Sequence, residues 1–245
     1  MNVFVSGGSR GIGRAIALRL ARGGAKRVAI GYFRSDSAAE ATAEDLRALG
    51  AEPTLVRGNI TSERVLEEVA ALGPLDVLVH NAASGVSVPA LEATEKHWDW
   101  TVNTNARALL ALAQTCAPSM PDGSSIVAIS SLGAQRVLEN YTLVGTSKAA
   151  LEALVRYLAV ELAPGIRVNA VSGGVVETDA LDAFPNRDEM LAAGRANPVG
   201  RMVDPDDIAG AVAFLCSQDA NMIRGQTIVV DGGFSLLVGS RPAQT

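Results

Sequence analysis

Val3-Phe4-Val5-Ser6-Gly7-Gly8-Ser9-Arg10-Gly11-Ile12-Gly13-Arg14-Ala15-Ile16 opens the chain with a short apolar run, a glycine-rich turn and the start of an amphipathic stretch. An apolar run of this length ahead of a 3.6-residue pattern reads as a buried strand feeding a helix. Gly7, Gly11 and Gly13 form G-x-x-x-G-x-G across that junction. Such a loop turns sharply, lacks side chains where an anion would approach, and aims the unpaired N–H groups of a helix start at it. A pyrophosphate fits that description, and the position directly after the first strand gives the motif its specificity.

The alternation begun here continues to the other end. Strands are expected at Val3–Ser6, Arg27–Phe33, Thr54–Arg57, Leu75–His80, Ser125–Ser130, Ile166–Val171 and Thr227–Asp231. Helical periodicity marks Ile12–Arg22, Ser37–Leu49, Ser62–Leu72, Trp98–Cys116, Ser147–Leu162 and Pro205–Cys216. Strand and helix in strict alternation give parallel strands joined by right-handed crossovers, with helices on both faces. The expected fold is therefore α/β: one doubly wound domain over 1–245, with a seven-stranded parallel sheet. A long irregular stretch, Gly173 to Val203, follows the sixth strand, where such sheets carry ligand-binding loops. It is read as a substrate lid at about 174–203, with Gly174, Gly194 and Gly200 as hinges and apolar residues to line an acyl tunnel. The polar tail from Gly239 to Thr245 is expected to fray.

Composition supports this reading and narrows function. The 245 residues are 48% hydrophobic and 19% charged, with a mean hydropathy of +0.22; disorder is excluded. Ten aromatics leave a core of Ala, Val, Leu and Ile, as buried parallel strands require. A net charge of −5 argues against a nucleic-acid surface. No apolar run reaches transmembrane length and no signal segment precedes the first strand, so a cytoplasmic protein without membrane attachment is expected. Cys116 and Cys216, a hundred residues apart, make neither a disulfide framework nor a metal quartet and are read as buried thiols. His80 and His97 lack carboxylates or cysteines at ligand spacing, so both are read as structural and no metal is expected.

The end of the second strand selects the nucleotide. Proteins that bind NAD place a carboxylate there for the ribose hydroxyls. This chain reads Ile30-Gly31-Tyr32-Phe33-Arg34-Ser35, without an acid until Asp36. Arg34, Ser35 and the loop residue Arg10 supply cations and a hydroxyl suited to a 2′-phosphate, which favours NADPH.

These features, together with His80-Asn81-Ala82-Ala83 after the fourth strand, Asn103 in the next helix and Ser130-Ser131 after the fifth, resemble the short-chain dehydrogenase/reductase family over essentially the whole chain. The resemblance implies a Rossmann fold and a Tyr–Lys catalytic pair. Ordinary members place Tyr four residues before Lys; here that position is Val144, and Tyr141 stands seven before Lys148. That spacing resembles the enoyl-acyl-carrier-protein reductase branch. The longer spacing has a physical reason. In ketone reduction the acid touches an oxygen on the hydride-accepting carbon, whereas in enoyl thioester reduction charge gathers on a carbonyl oxygen further along the conjugated system. Moving the hydroxyl one helical turn shifts it by roughly 4 to 5 Å.

The strings His97-Trp98-Asp99-Trp100, Ser131-Leu132-Gly133-Ala134, Leu138-Glu139-Asn140-Tyr141, Phe184-Pro185-Asn186-Arg187 and Met222-Ile223-Arg224-Gly225-Gln226 are similar to the NADPH-dependent type III enzymes of that branch, which serve bacterial type II fatty acid synthesis. From this resemblance follow an acyl thioester substrate on acyl carrier protein or coenzyme A, and a homotetramer formed through the helices Trp98–Cys116 and Ser147–Leu162. It also implies roles. Tyr141 stabilises the enolate oxygen, Lys148 holds the nicotinamide ribose and favours Tyr ionisation, and Ser131, where other branch members have a second Tyr, is a further hydrogen-bond donor. Asn103 props the helix of Lys148 or holds a water. Cofactor contacts are implied at Gly7, Ser9, Arg10, Gly11, Ile12, Gly13, Arg34, Ser35, Asn59, Ile60, Asn81, Ala82, Lys148, Gly174, Val176 and Thr178. Two other readings stay open: a ketoreductase of acyl thioesters or small alcohols, and an NADPH-sensing regulator without turnover.

Overall fold

The computed structural model describes residues 1–178, 181 and 187–237. Seven strands form one sheet: β1 (Asn2–Ser6), β2 (Arg27–Tyr32), β3 (Glu52–Arg57), β4 (Val77–His80), β5 (Ser124–Ser131), β6 (Ile166–Gly173) and β7 (Thr227–Val230). Their order is β3-β2-β1-β4-β5-β6-β7, and every neighbouring pair is parallel. Strand order reverses between β1 and β4, which opens a crevice above their C-terminal ends. All seven expected strands are present, with ends shifted by at most two residues.

Alternation along each strand divides the core in two. Val3 and Val5 of β1 face one layer with Ile16 and Leu20 of α1 (Gly11–Arg22) and Ile208, Val212 and Leu215 of α8 (Pro205–Cys216). Phe4 faces the other, with Val65 and Val69 of α3 (Glu63–Ala70), Leu109 and Leu112 of α5 (Ala108–Cys116), and Leu151, Val155 and Leu158 of α6 (Thr142–Glu161). Apolar side chains on both faces of one strand are what a sheet sandwiched between helices demands. Helix α2 (Asp36–Ala48) joins the first layer through Ala39 and Leu46.

Three departures bear on the site. The expected helix Trp98–Cys116 is three pieces: α4 (Glu95–Val102), a π-helical turn at Asn103–Arg107, and α5. The helix carrying Lys148 starts at Thr142, five residues earlier than its pattern shows. The stretch after β6 is not irregular throughout, because α7 (Arg187–Arg195) lies within it. Its downstream half is pinned: the Asn197 amide donates to Gly194 O and Arg201 O, each at 2.6 Å, and its oxygen accepts from Val199 and Gly200 N–H. A Cβ on Gly194 would come 2.8 Å from the Met202 sulfur, and one on Gly174 3.0 Å from Asp231 Cα. Those two glycines permit close packing. The lid residues 179, 180 and 182–186 lie outside the described residues, as do Phe184-Pro185-Asn186 and the tail from 238 onward. Among the described residues no helix is long and apolar enough to cross a membrane. Cys116 is buried and Cys216 half-buried, and burial pushes the thiols up to about 11 and about 12 respectively.

Candidate active site

The glycine loop closes between β1 and α1. Gly7 and Gly11 take φ of +66° and +53°, a region that costs residues with a Cβ. A Cβ on Gly13 would lie 2.0 Å from Gly7 O, so the loop lies directly on the first turn of α1. Neighbouring segments hold it there. Asn81 Nδ2 donates to Ser6 O at 3.2 Å and Gly7 O at 2.9 Å. Asn81 N–H and Ala82 N–H both donate to Ser6 Oγ at 3.0 Å. Thr42 of α2 donates to Ser9 O at 2.9 Å, a support the sequence reading missed. Thr178 arrives from beyond β6, with its Cγ2 3.3 Å from where a Gly11 Cβ would stand. Val176 is buried and bridges to Val203, which fixes the approach of Thr178. Ile12 and Gly13 belong to the first turn of α1, whose leading N–H groups have no helical partner. A loop this stripped of side chains, ahead of a helix start, fits a dinucleotide pyrophosphate.

At the end of β2, Arg34 is exposed and its guanidinium stacks 5.2 Å from the centroid of the Phe33 ring. Asp36 is paired with Arg57 at 3.2 Å, and its charge helps to raise the Tyr32 pKa, after burial. It is thus turned to β3, and Arg34 and Ser35 hold the strand end. Asn59 forms a turn in which its side-chain oxygen accepts from Thr61 N–H and Oγ1–H, beside buried Ile60.

Tyr141 and Ser131 meet at the end of β5, and Lys148 of α6 reaches the same strand at Ile129. Asn140 turns the chain with φ +54°, and Tyr141 is the residue before α6, its carbonyl accepting from Gly145 N–H at 2.7 Å. The Tyr141 ring lies on Gly133, where a Cβ would come 2.5 Å from Cε1. Its hydroxyl is 3.4 Å from Ser131 Oγ, which also accepts from Gly133 N–H. Burial raises the Tyr141 pKa, offset in part by the Ser131 hydrogen bond, so the phenol is protonated at neutral pH. Lys148, 5% exposed, donates to Ile129 O at 2.7 Å. Burial brings it down to about 8, with the Glu152 carboxylate acting in the opposite sense. An ammonium has three protons, so two remain to be donated beyond Ile129.

Val144 is only 6% exposed and lies under Gly85, where a Cβ would come 2.4 Å from Val144 Cγ2. The position four before Lys148 is therefore filled and covered by the segment after β4.

The structure moves the prop of α6 from Asn103 to Asn105. Asn103 begins the π turn and is only half-buried, whereas Asn105 is fully buried. Asn105 Nδ2 donates to Ser147 Oγ and Ser84 O, and its Oδ1 accepts from Ser84 N–H, each at 2.8 Å. The signal was in the sequence: Asn105, Leu109, Leu112 and Cys116 make one stripe at i, i+4, i+7 and i+11, and Asn103 is off it. Both histidines are structural. His97 completes a capping box with Thr94. His80 is fully buried between Ser6 Oγ and Asn105 O, each at 3.1 Å, and is held down at about 4 by burial and then by the charge of Lys148.

Comparison with known proteins agrees with this geometry. Residues 7–235 match the family model described as enoyl-(acyl carrier protein) reductase. The chain is 38% identical over 243 residues to the 1-cyclohexenylcarbonyl-CoA reductase of Streptomyces collinus, covering 96% of this chain and 86% of that protein. It is 37% identical over 243 residues to a 3-oxoacyl-(acyl-carrier-protein) reductase of Staphylococcus epidermidis, covering 95% and 98%. A short-chain dehydrogenase from Burkholderia cenocepacia, solved in complex with NADP, has a TM-score of 0.87 and 33% identity, with 96% and 97% covered.

Proposed function

Since the chain belongs to the short-chain dehydrogenase/reductase family of oxidoreductases, we propose that it is an NADPH-dependent enoyl-acyl-carrier-protein reductase of the type III kind found in bacterial fatty acid synthesis. One observation carries this reading: the phenol seven residues before Lys148 stands beside Ser131, while the position four before Lys148, used by ordinary ketoreductases, holds a buried valine. The Streptomyces relative, named for reducing 1-cyclohexenylcarbonyl-CoA, supports it. Bound NADPH supplies a hydride to the β-carbon of a trans-2-enoyl thioester. The Gly7–Gly13 loop with Asn81 and Ala82 would hold its pyrophosphate side, Arg34 and Ser35 the 2′-phosphate, Asn59 and Ile60 the adenine end, and Lys148, Gly174, Val176 and Thr178 the nicotinamide end. The NADP in the Burkholderia neighbour supports the same cofactor.

Tyr141 donates its hydroxyl proton in a hydrogen bond to the thioester oxygen as negative charge develops there, an interaction strengthened by partial burial. Ser131 orients that hydroxyl from 3.4 Å. Lys148 fixes the ribose and adds positive charge beside the phenol, which favours proton release. The acyl chain is carried on acyl carrier protein or coenzyme A, and the active form is a homotetramer joined through α4, α5 and α6. Exposed Trp98, Trp100, Tyr157 and Val160 support those faces as contacts.

The 3-oxoacyl reductase from Staphylococcus keeps ketone reduction as the rival. Oxidation of NADPH with crotonyl and acetoacetyl thioesters, run side by side, separates the two. Reduction of the crotonyl thioester is expected; turnover of the acetoacetyl thioester alone overturns the proposal, and turnover of neither revives the regulator reading.

A further inference from the structure

Among the described residues, a buried carboxylate next to the catalytic residues has no role in the proposed reaction. Glu152 is 5% exposed and sits four residues after Lys148, on the same face of α6. Its Oε1 accepts from Ser130 Oγ at 2.7 Å and its Oε2 from Gln135 Nε2 at 2.9 Å. Those partners bracket residues 131–134, the strand end and single 3₁₀ turn that carry Ser131 and seat the Tyr141 ring on Gly133. One carboxylate thus holds both ends of the segment on which the phenol rests. Lys148 grips the same strand end through Ile129 O, one residue before Ser130.

We propose that Glu152 is a positioning residue for the reduction: it fixes the 131–135 segment beneath Tyr141 and provides the counter-charge for buried Lys148. The proposal rests on the enoyl reductase reading for its chemistry, but its electrostatic half does not. The charged and titratable groups around Lys148 are few. Its own helix presents Glu152 and, at its start, the protonated Tyr141; β4 presents neutral His80; β5 has no ionisable side chain and gives the Ile129 carbonyl. Removing the anion leaves the cation facing burial alone, so Lys148 must give up its proton at lower pH.

Only three lysines occur in the chain, and Lys26 and Lys96 are exposed. Biosynthetic labelling with ¹³C-lysine therefore gives three ε-carbon signals, with that of Lys148 assigned by its loss in Lys148→Arg. In the unliganded wild type this signal should titrate near 8, and in Glu152→Gln its midpoint should fall by about one pH unit. Gln135→Ala, which releases one end of the turn and keeps the charge, should leave the midpoint in place. It should lower enoyl turnover about tenfold with the KM for NADPH unchanged. Glu152→Asp should likewise keep the midpoint and lose turnover, and it carries the charge test if Glu152→Gln fails to fold. An unmoved midpoint in Glu152→Gln, a midpoint displaced in Glu152→Asp, or full turnover in Gln135→Ala overturns the proposal. A wild type that titrates and shifts as stated but reduces no enoyl thioester refutes the functional reading and leaves the counter-charge role intact.

Discussion

Replacing Tyr141 with Phe removes one oxygen from a site whose packing is otherwise set by the ring. The ring lies against Gly133 and remains there in Tyr141→Phe, so the turn at 132–134 and the start of α6 have no cause to move. What is lost is the proposed donor to the developing oxyanion. In comparable sites one such donor is worth about 2.7 to 4 kcal/mol, or roughly a hundredfold to a thousandfold in kcat. The nearest hydroxyl, Ser131 Oγ, stood 3.4 Å from the missing oxygen and sets the floor. It can reach part of the way to the thioester oxygen, which places the expected loss toward the hundredfold end. NADPH affinity, measured by fluorescence titration, should be nearly unchanged because Lys148 and the glycine loop are untouched. Initial rates with a crotonyl thioester at saturating NADPH read the effect. Full turnover by Tyr141→Phe would make the tyrosine a packing residue and refute the reasoning.

The companion control must respect the packing at 144. Val144→Phe would force a larger side chain against Gly85 in a covered position, at a cost of about 1 to 3 kcal/mol in stability. Val144→Ala keeps the position free of a proton donor without overpacking, and it should retain most enoyl turnover.

Three further outcomes follow from charge and exposure. Arg34→Asp should weaken NADPH binding far more than NADH binding, since it puts an anion where the 2′-phosphate is proposed to lie; equal loss for both cofactors in paired titrations would move the phosphate elsewhere. His80 falls from its ordinary 6.5 to about 4 on folding, so the unfolded chain binds more protons across that window and stability is lost as pH falls from 6.5 toward 4. By linkage this is worth about 2 kcal/mol between pH 7 and pH 5, and His80→Asn should flatten that part of the urea-unfolding profile; an unchanged slope would count against a buried neutral imidazole. Light scattering at micromolar concentration should report a tetramer, and Tyr157→Glu with Val160→Arg should dissociate it; a monomeric wild type ends that proposal.

The sequence made the fold legible because most strands are apolar on both faces and alternate with amphipathic helices. The same pattern could not resolve what polar residues do inside it. Glu152 sits between Leu151 and Val155 in a helix whose charged positions usually face water, so periodicity alone assigns it to solvent. Only the contact with Ser130 and Gln135 reveals it as buried. Asn103 comes from the family resemblance, whereas the helical stripe Asn105, Leu109, Leu112 and Cys116 points inward at Asn105. Apart from Leu143, the first turn of α6, Thr142-Leu143-Val144-Gly145-Thr146, is built from β-branched residues and a glycine, weak helix formers. It is helical because it packs on the 132–134 turn, a tertiary cause that no local window contains.

The nucleotide loop and the catalytic helix lie on different strands, and a route of buried polar contacts joins them. Ser6 Oγ accepts from both Asn81 N–H and Ala82 N–H, so its own proton goes to His80 Nδ1. That fixes the imidazole as the Nε2–H form, which donates to Asn105 O. The Asn105 amide passes on to Ser147 Oγ, and Ser147 donates to Val144 O inside α6. Apolar packing holds these elements together without direction, whereas hydrogen bonds impose angle and distance. A neutral imidazole suits the link, because a charge there would face Lys148 across the site. His80 thus sits inside the hydrogen-bonded route by which the glycine loop is registered against α6.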